Sequence, residues 1–167
     1  MTRPDNSPPP VILIGAMTPS RVIGIGDGMP WEIPEDYQTF LDNVRGQTVI
    51  MGRKSYEIFG PDLTSVHNIV VSRGEPDVNA IVTHSIEEAL EKAYSFGMKI
   101  FVAGGSEIYA LALPLANWIY LSEIKKDYDG DRYFPEFDEN DWEIVREIDY
   151  AEFVYRERKR RSKGTPA

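Results

Sequence analysis

Three stretches of this sequence bring together residues able to do chemistry. In GMPWEIPED, residues 28–36, two prolines bracket Trp31, and Glu35 and Asp36 follow where the chain turns into a helix. An acid at that place either serves the positive helix start, a job Glu35 does equally well, or stands against the neighbouring apolar and aromatic surface. In VAGGSEIY, residues 102–109, the pair Gly104 and Gly105 follows an apolar run and opens a helix. Residues without side chains let backbone N–H groups come close to a phosphate, and they also suit a tight strand-to-helix turn; the GxGxxG dinucleotide fingerprint is absent. In VIMGRKS, residues 49–55, Gly52 precedes Arg53 and Lys54 at a helix start, where positive charge is unfavourable unless an anion sits there. Arg73 adds a cation just past IVVS. Strand ends bearing glycines and arginines in an α/β sheet describe a crevice suited to a phosphorylated cofactor.

Such residues need elements to hold them. VILIGAM (11–17), TVIM (48–51), NIVVS (68–72) and KIFVAG (99–104) are continuous apolar runs rich in branched residues, the pattern of strands buried on both faces. Helices are expected between them. SIEEALEKAYSFG (85–97) offers Ser85 as N-cap and Glu88 as capping-box partner, carries Ile86, Ala89, Leu90 and Ala93 on one face, and ends at Gly97. IPEDYQTFLDNV (33–44) has Pro34 in its first turn and Tyr37, Phe40, Leu41 and Val44 on an apolar stripe. Short helices after MGR and GGSE complete the alternation. From Trp118 onward WIYLSEI, WEIVREIDY and EFVYRER follow without helices and predict an antiparallel edge.

With 167 residues, 42% of them hydrophobic, the chain suits one domain. No run of about 18 apolar residues occurs, and residues 1–10 lack the apolar centre of a secretory signal, so a soluble cytoplasmic protein is expected. The absence of cysteine excludes disulfides, thiolate nucleophiles and cysteine-ligated zinc, and two histidines cannot build a multi-histidine metal site; no metal is expected. A net charge of −9 argues against a nucleic-acid-binding body and against nucleic acid as a partner. Basic residues cluster near the C-terminus, as a solvated end or a contact for an anionic partner. Flexible tails are read over 1–10 and 159–167, flanking a domain over 11–158.

RVIGIGDGMPWEIPED (21–36), TVIMGRKSYEIFG (48–60), FVAGGSEIYALALP (101–114), IYLSEI (119–124) and YDGDRYFPEF (128–137), in this order and spacing, resemble the dihydrofolate reductase family from about residue 11 to 158. The resemblance implies a single α/β domain with a mostly parallel eight-stranded sheet, an antiparallel C-terminal edge and about four helices. It also implies a monomeric enzyme that uses NADPH to reduce 7,8-dihydrofolate to 5,6,7,8-tetrahydrofolate, with hydride going to C6 and a proton to N5.

Carried over residue by residue, Asp36 would bind the pterin 2-amino group and N3. Ser122, where the family usually has threonine, would bridge to that carboxylate; Trp31 would hold a water beside it, and Met29 would lie on the lid over the nicotinamide. Ala16, Tyr37, Phe40, Phe59 and Leu63 complete the implied substrate wall. The implied cofactor residues are Ala16, Ile23, Gly24, Gly52, Arg53, Lys54, Ser55, Ser72 and Arg73, with Ala103, Gly104, Gly105, Ser106, Glu107, Ile108 and Tyr109. Arg53 and Arg73 would favour NADPH over NADH, the glycine pair would be joined by a cis peptide, and Gly130 and Asp131 would steady the lid.

The pattern also departs from the family. Val66 stands where an arginine usually binds the glutamyl tail, a contact worth roughly 1.5–3 kcal/mol. Pro61 and Leu41 occupy nearby positions that are often basic, Tyr37 replaces a plain aliphatic or phenylalanine, and Glu107 replaces a frequently basic residue. The alternatives are a reductase of another dihydropterin without that tail, such as dihydromethanopterin, or a non-catalytic pterin- or nucleotide-binding module.

Overall fold

The branched apolar runs form strands because both of their faces are covered. In the computed structural model, which describes residues 7–24, 26 and 28–162, the chain runs in order through β1 (Val11–Met17), β2 (Val22–Gly24), α1 (Pro34–Val44), β3 (Thr48–Gly52), α2 (Arg53–Phe59), β4 (His67–Val71), β5 (Ile81–Thr83), α3 (Ile86–Tyr94), β6 (Ile100–Val102), α4 (Ser106–Ala112), β7 (Trp118–Ile124), β8 (Arg132–Tyr133), β9 (Trp142–Asp149) and β10 (Phe153–Arg160). Eight strands make one sheet in the order β5-β4-β3-β6-β1-β7-β10-β9, and β2 pairs with β8 apart from it. Neighbours from β5 to β7 are parallel, and β10 runs antiparallel to both β7 and β9.

The period-two alternation of β1 divides the core. Val11 and Leu13 face one side with Ile86, Ala89 and Leu90 of α3 and Ile108 and Ala112 of α4. Ile12 and Ile14 face the other with Trp31, Ile33, Val44 of α1, Phe153 and Tyr155. At α3 the Ser85 hydroxyl accepts from the Glu88 N–H at 3.0 Å, while the Glu88 carboxylate reaches back to the N–H of His84, one residue before the cap, at 3.2 Å.

Several expectations need correction. β7 does not belong to the antiparallel edge: it lies inside the sheet, parallel to β1, and follows α4 as a crossover strand should. β6 ends at Val102, short of the glycine pair, and β5 and the β2–β8 pair were not foreseen. The predicted C-terminal tail begins too early. Lys159 and Arg160 are strand residues; the Arg160 N–H donates to the Asn117 carbonyl at 2.9 Å, and its guanidinium donates to the carbonyls of Leu113 and Ala116 at 2.6 and 2.8 Å. At the other end the Pro10 carbonyl accepts from the Ile100 N–H at 3.0 Å. Residues 1–6 and 163–167 of the two predicted tails lie outside the described residues. Among the described residues no helix is long and apolar enough to cross a membrane.

Candidate active site

Helix α1 sets Glu35 and Asp36 on different faces. Pro34 fixes its first turn, and Asp36, Phe40 and Val44 recur at four-residue steps along the inward face. Asp36 is consequently only 7% exposed, whereas Glu35 faces solvent. Burial lifts the Asp36 carboxyl from its usual 3.8 to about 6, against the weaker opposing pull of the Ser122 hydroxyl and then of Trp31. Trp31 acts from close by without a formed bond, because its buried indole N–H has no hydrogen-bond partner among the described residues. A pocket with one buried acid and an unused donor beside it suits a polar heterocycle edge, either directly or through water.

The parallel register of β1 and β7 sets Ala16 opposite Ser122, and the antiparallel register of β10 sets Tyr155 on the other side of Ser122. These residues line a cavity with Ile23, Met29, Asp36, Tyr37, Phe40, Ser55, Phe59, Ala103, Gly104, Gly105 and Tyr109. Tyr37 lies between Phe40 and Phe59, 6.1 Å from each ring, and its hydroxyl turns outward to donate to Asp62 at 2.7 Å. Burial and then the Asp62 carboxylate push the Tyr37 phenol pKa upward. Tyr109 is buried beneath the floor, its hydroxyl donating to the Ile14 carbonyl at 2.6 Å.

Ser55 and Gly105 also line a second groove, so the two spaces meet there. This groove runs past Gly52, Arg53, Lys54, Ser72, Arg73, Ser106, Glu107 and Ile108. The Gly104–Gly105 peptide is cis, and Gly104 holds a φ of +112°, a conformation reserved in practice for glycine. Bare backbone at the junction and cations at the ends of β3 and β4 fit a phosphorylated dinucleotide.

Three predicted residues line neither space: Trp31 is buried in the core, Leu63 packs partly buried against the same cluster, and Gly24 belongs to β2. The Gly24 carbonyl accepts from the Asp131 N–H at 3.1 Å, joining the stretch before Met29 to the β8 segment. Among the lining residues that the sequence did not single out are Ile14, Gly15, Thr39 and Tyr155 in the pocket and Glu75, His84 and Arg132 in the groove. Ile14 was within reach, since it shares the face of Ala16 two residues on. His84, just past β5, follows the same strand-end rule as Arg53 and Arg73, but β5 itself went unread.

A family model described as dihydrofolate reductase matches residues 10–158. The chain belongs to the dihydrofolate reductase family. Among curated relatives it is 35% identical to the Escherichia coli dihydrofolate reductase type A13, over 89% of this chain and 94% of that one. It is 36% identical to the dihydrofolate reductase of Bacillus subtilis, over 81% of each. The solved structure of the Enterococcus faecalis dihydrofolate reductase complexed with NADP(H) and RAB-propyl superposes with a TM-score of 0.81 at 27% identity, covering 92% of this chain and 97% of that one. Family membership agrees with the eight-stranded sheet, its antiparallel edge strands and the four α-helices among the described residues. Of the departures, Val66 is 57% exposed, and Glu107 forms an ion pair with Arg73 at 3.1 Å.

Proposed function

We propose that this protein reduces 7,8-dihydrofolate to 5,6,7,8-tetrahydrofolate with NADPH as the reductant. The observation that carries this reading is the single buried acid of the apolar pocket, Asp36, in a space that opens into the arginine-bearing groove.

When bound, NADPH supplies the hydride. Gly52, Arg53, Lys54, Ser55, Ser72, Arg73 and the 103–109 segment would hold it, with Ala16 and Ile23 near its reactive end. Asp36, ionised above about pH 6, accepts two donors from the amidine-like edge of the pterin and so fixes the ring. Its negative charge favours protonation at N5, with water as the donor. Ser122 holds the carboxylate in its ionised form, Trp31 offers its N–H to the water beside it, and Met29 helps to exclude bulk solvent. Phe40, Phe59 and Tyr37 supply the aromatic wall, backed by Leu63. We also take the protein to act as a monomer in the cytoplasm, which size-exclusion chromatography and cell fractionation check.

A second reading, a dihydropterin without a glutamyl tail as substrate, is favoured by the exposed Val66 and by the Asp62 carboxylate that accepts from the hydroxyl of the pocket residue Tyr37. Following NADPH oxidation with dihydrofolate and with a tail-less dihydropterin decides between them. A clear preference for dihydrofolate supports the first reading, and equal kcat/KM for both supports the second. Binding of NADPH without reduction of either substrate would leave a non-catalytic module.

A further inference from the structure

The groove carries its own anions. Arg73, just past β4, donates from Nη2 to Oε1 of Glu107 in the first turn of α4 at 3.1 Å, and both residues line the groove. Their side chains are 92% and 68% exposed, so neither is held by packing. Nearby, Arg53 pairs with Glu57, and His84 Nε2 lies 2.9 Å from Glu75. Unlike the Arg53 pair, which lies within α2, the Arg73 pair joins two segments that line the groove, and it sets a carboxylate against an arginine where an incoming anion would approach.

We infer that Glu107 is a specificity-determining residue of this groove: its carboxylate competes with a ribose phosphate for the guanidinium of Arg73. The inference rests on the reading of the groove as the NADPH site. An exposed ion pair is weak, and a phosphate dianion is the stronger partner for an arginine fork, so the phosphate displaces the carboxylate. The displaced carboxylate stays close to the phosphate and repels it. A dinucleotide without that phosphate makes no demand on Arg73 and is indifferent to the exchange. Glu107 therefore narrows the discrimination between phosphorylated and unphosphorylated cofactor that Arg53 and Arg73 would otherwise set.

Calorimetric titration of the wild-type protein and the Glu107→Gln variant with adenosine 2′,5′-bisphosphate and with adenosine 5′-monophosphate tests this without turnover. The variant is expected to bind the bisphosphate about three- to tenfold more tightly and the monophosphate with unchanged affinity. The gain is expected to shrink at high ionic strength and to vanish when Arg73→Gln is added. Unchanged or weaker bisphosphate binding by the variant, or an equal gain for both nucleotides, overturns the competition and leaves the cofactor site standing. Failure of both proteins to bind the bisphosphate overturns the inference and the cofactor reading together.

Discussion

At the carboxyl of Asp36, burial and hydrogen bonding pull in opposite directions, and burial wins. The folded-state pKa is raised to about 6, so the folded form binds the proton more tightly than the unfolded chain does. The resulting stability penalty is absent below the usual value of 3.8, grows between there and about 6, and is complete above that. Thermal melts of Asp36→Asn should show a gain of up to ~3 kcal/mol over wild type at about pH 8 and none at about pH 4. Turnover should move the other way. At neutral pH the same variant should lose on the order of a hundredfold or more in kcat, and part of the loss should return in acid, where substrate arrives already protonated. A pH profile showing equal loss throughout would contradict the electrostatic role. The sequence motif alone left Asp36 and Glu35 equivalent; only the direction of the α1 stripe, anchored by Phe40 and Val44, tells the inward acid from the outward one.

Among the elements, the β2–β8 pair was the least legible and bears most directly on the pocket. Two strands of three and two residues are too short for an alternating pattern to emerge. Their contact becomes visible at Gly130, where an added Cβ would strike the Val22 side chain and the Gly24 carbonyl. Gly130→Ala should therefore push the two segments apart and weaken the Asp131 to Gly24 bond. The expected outcome is a several-fold fall in kcat/KM with little change in melting temperature, because the pair stands outside the main sheet. Steady-state kinetics beside a thermal melt checks both halves. Longer elements were easier: α3 announced itself through Ser85, Glu88 and Gly97. β7 was misplaced because an apolar run shows that a strand is buried but not which way it runs.

For the molecule as a whole, the C-terminal residues matter more than their charge suggested. Reading the basic run 156–167 as a solvated end overlooked two things: the aliphatic stems of such side chains, and carbonyls that only tertiary structure brings within reach. Arg158 is fully buried, donating to Glu123 at 3.1 Å and to Glu139 at 2.8 Å, so it ties β10 to β7 and to the turn before β9. Arg160 lies over the Trp142 ring at 4.3 Å while its guanidinium holds two carbonyls. A chain ending at Arg158 should lose about 2–4 kcal/mol, the sum of a few hydrogen bonds and the ring contact, and one ending at Ser162 should recover it. Urea titrations of the two truncated proteins measure the difference.

The strand order has a further result for biosynthesis. β10 follows β9 in the chain, yet its place in the sheet is between β7 and β9. Until β10 is in place, β9 has no neighbour in the sheet and one side of β7 is bare. A nonsense codon ahead of Phe153 would therefore yield no slightly weakened catalyst, but a sticky product fit for proteolysis.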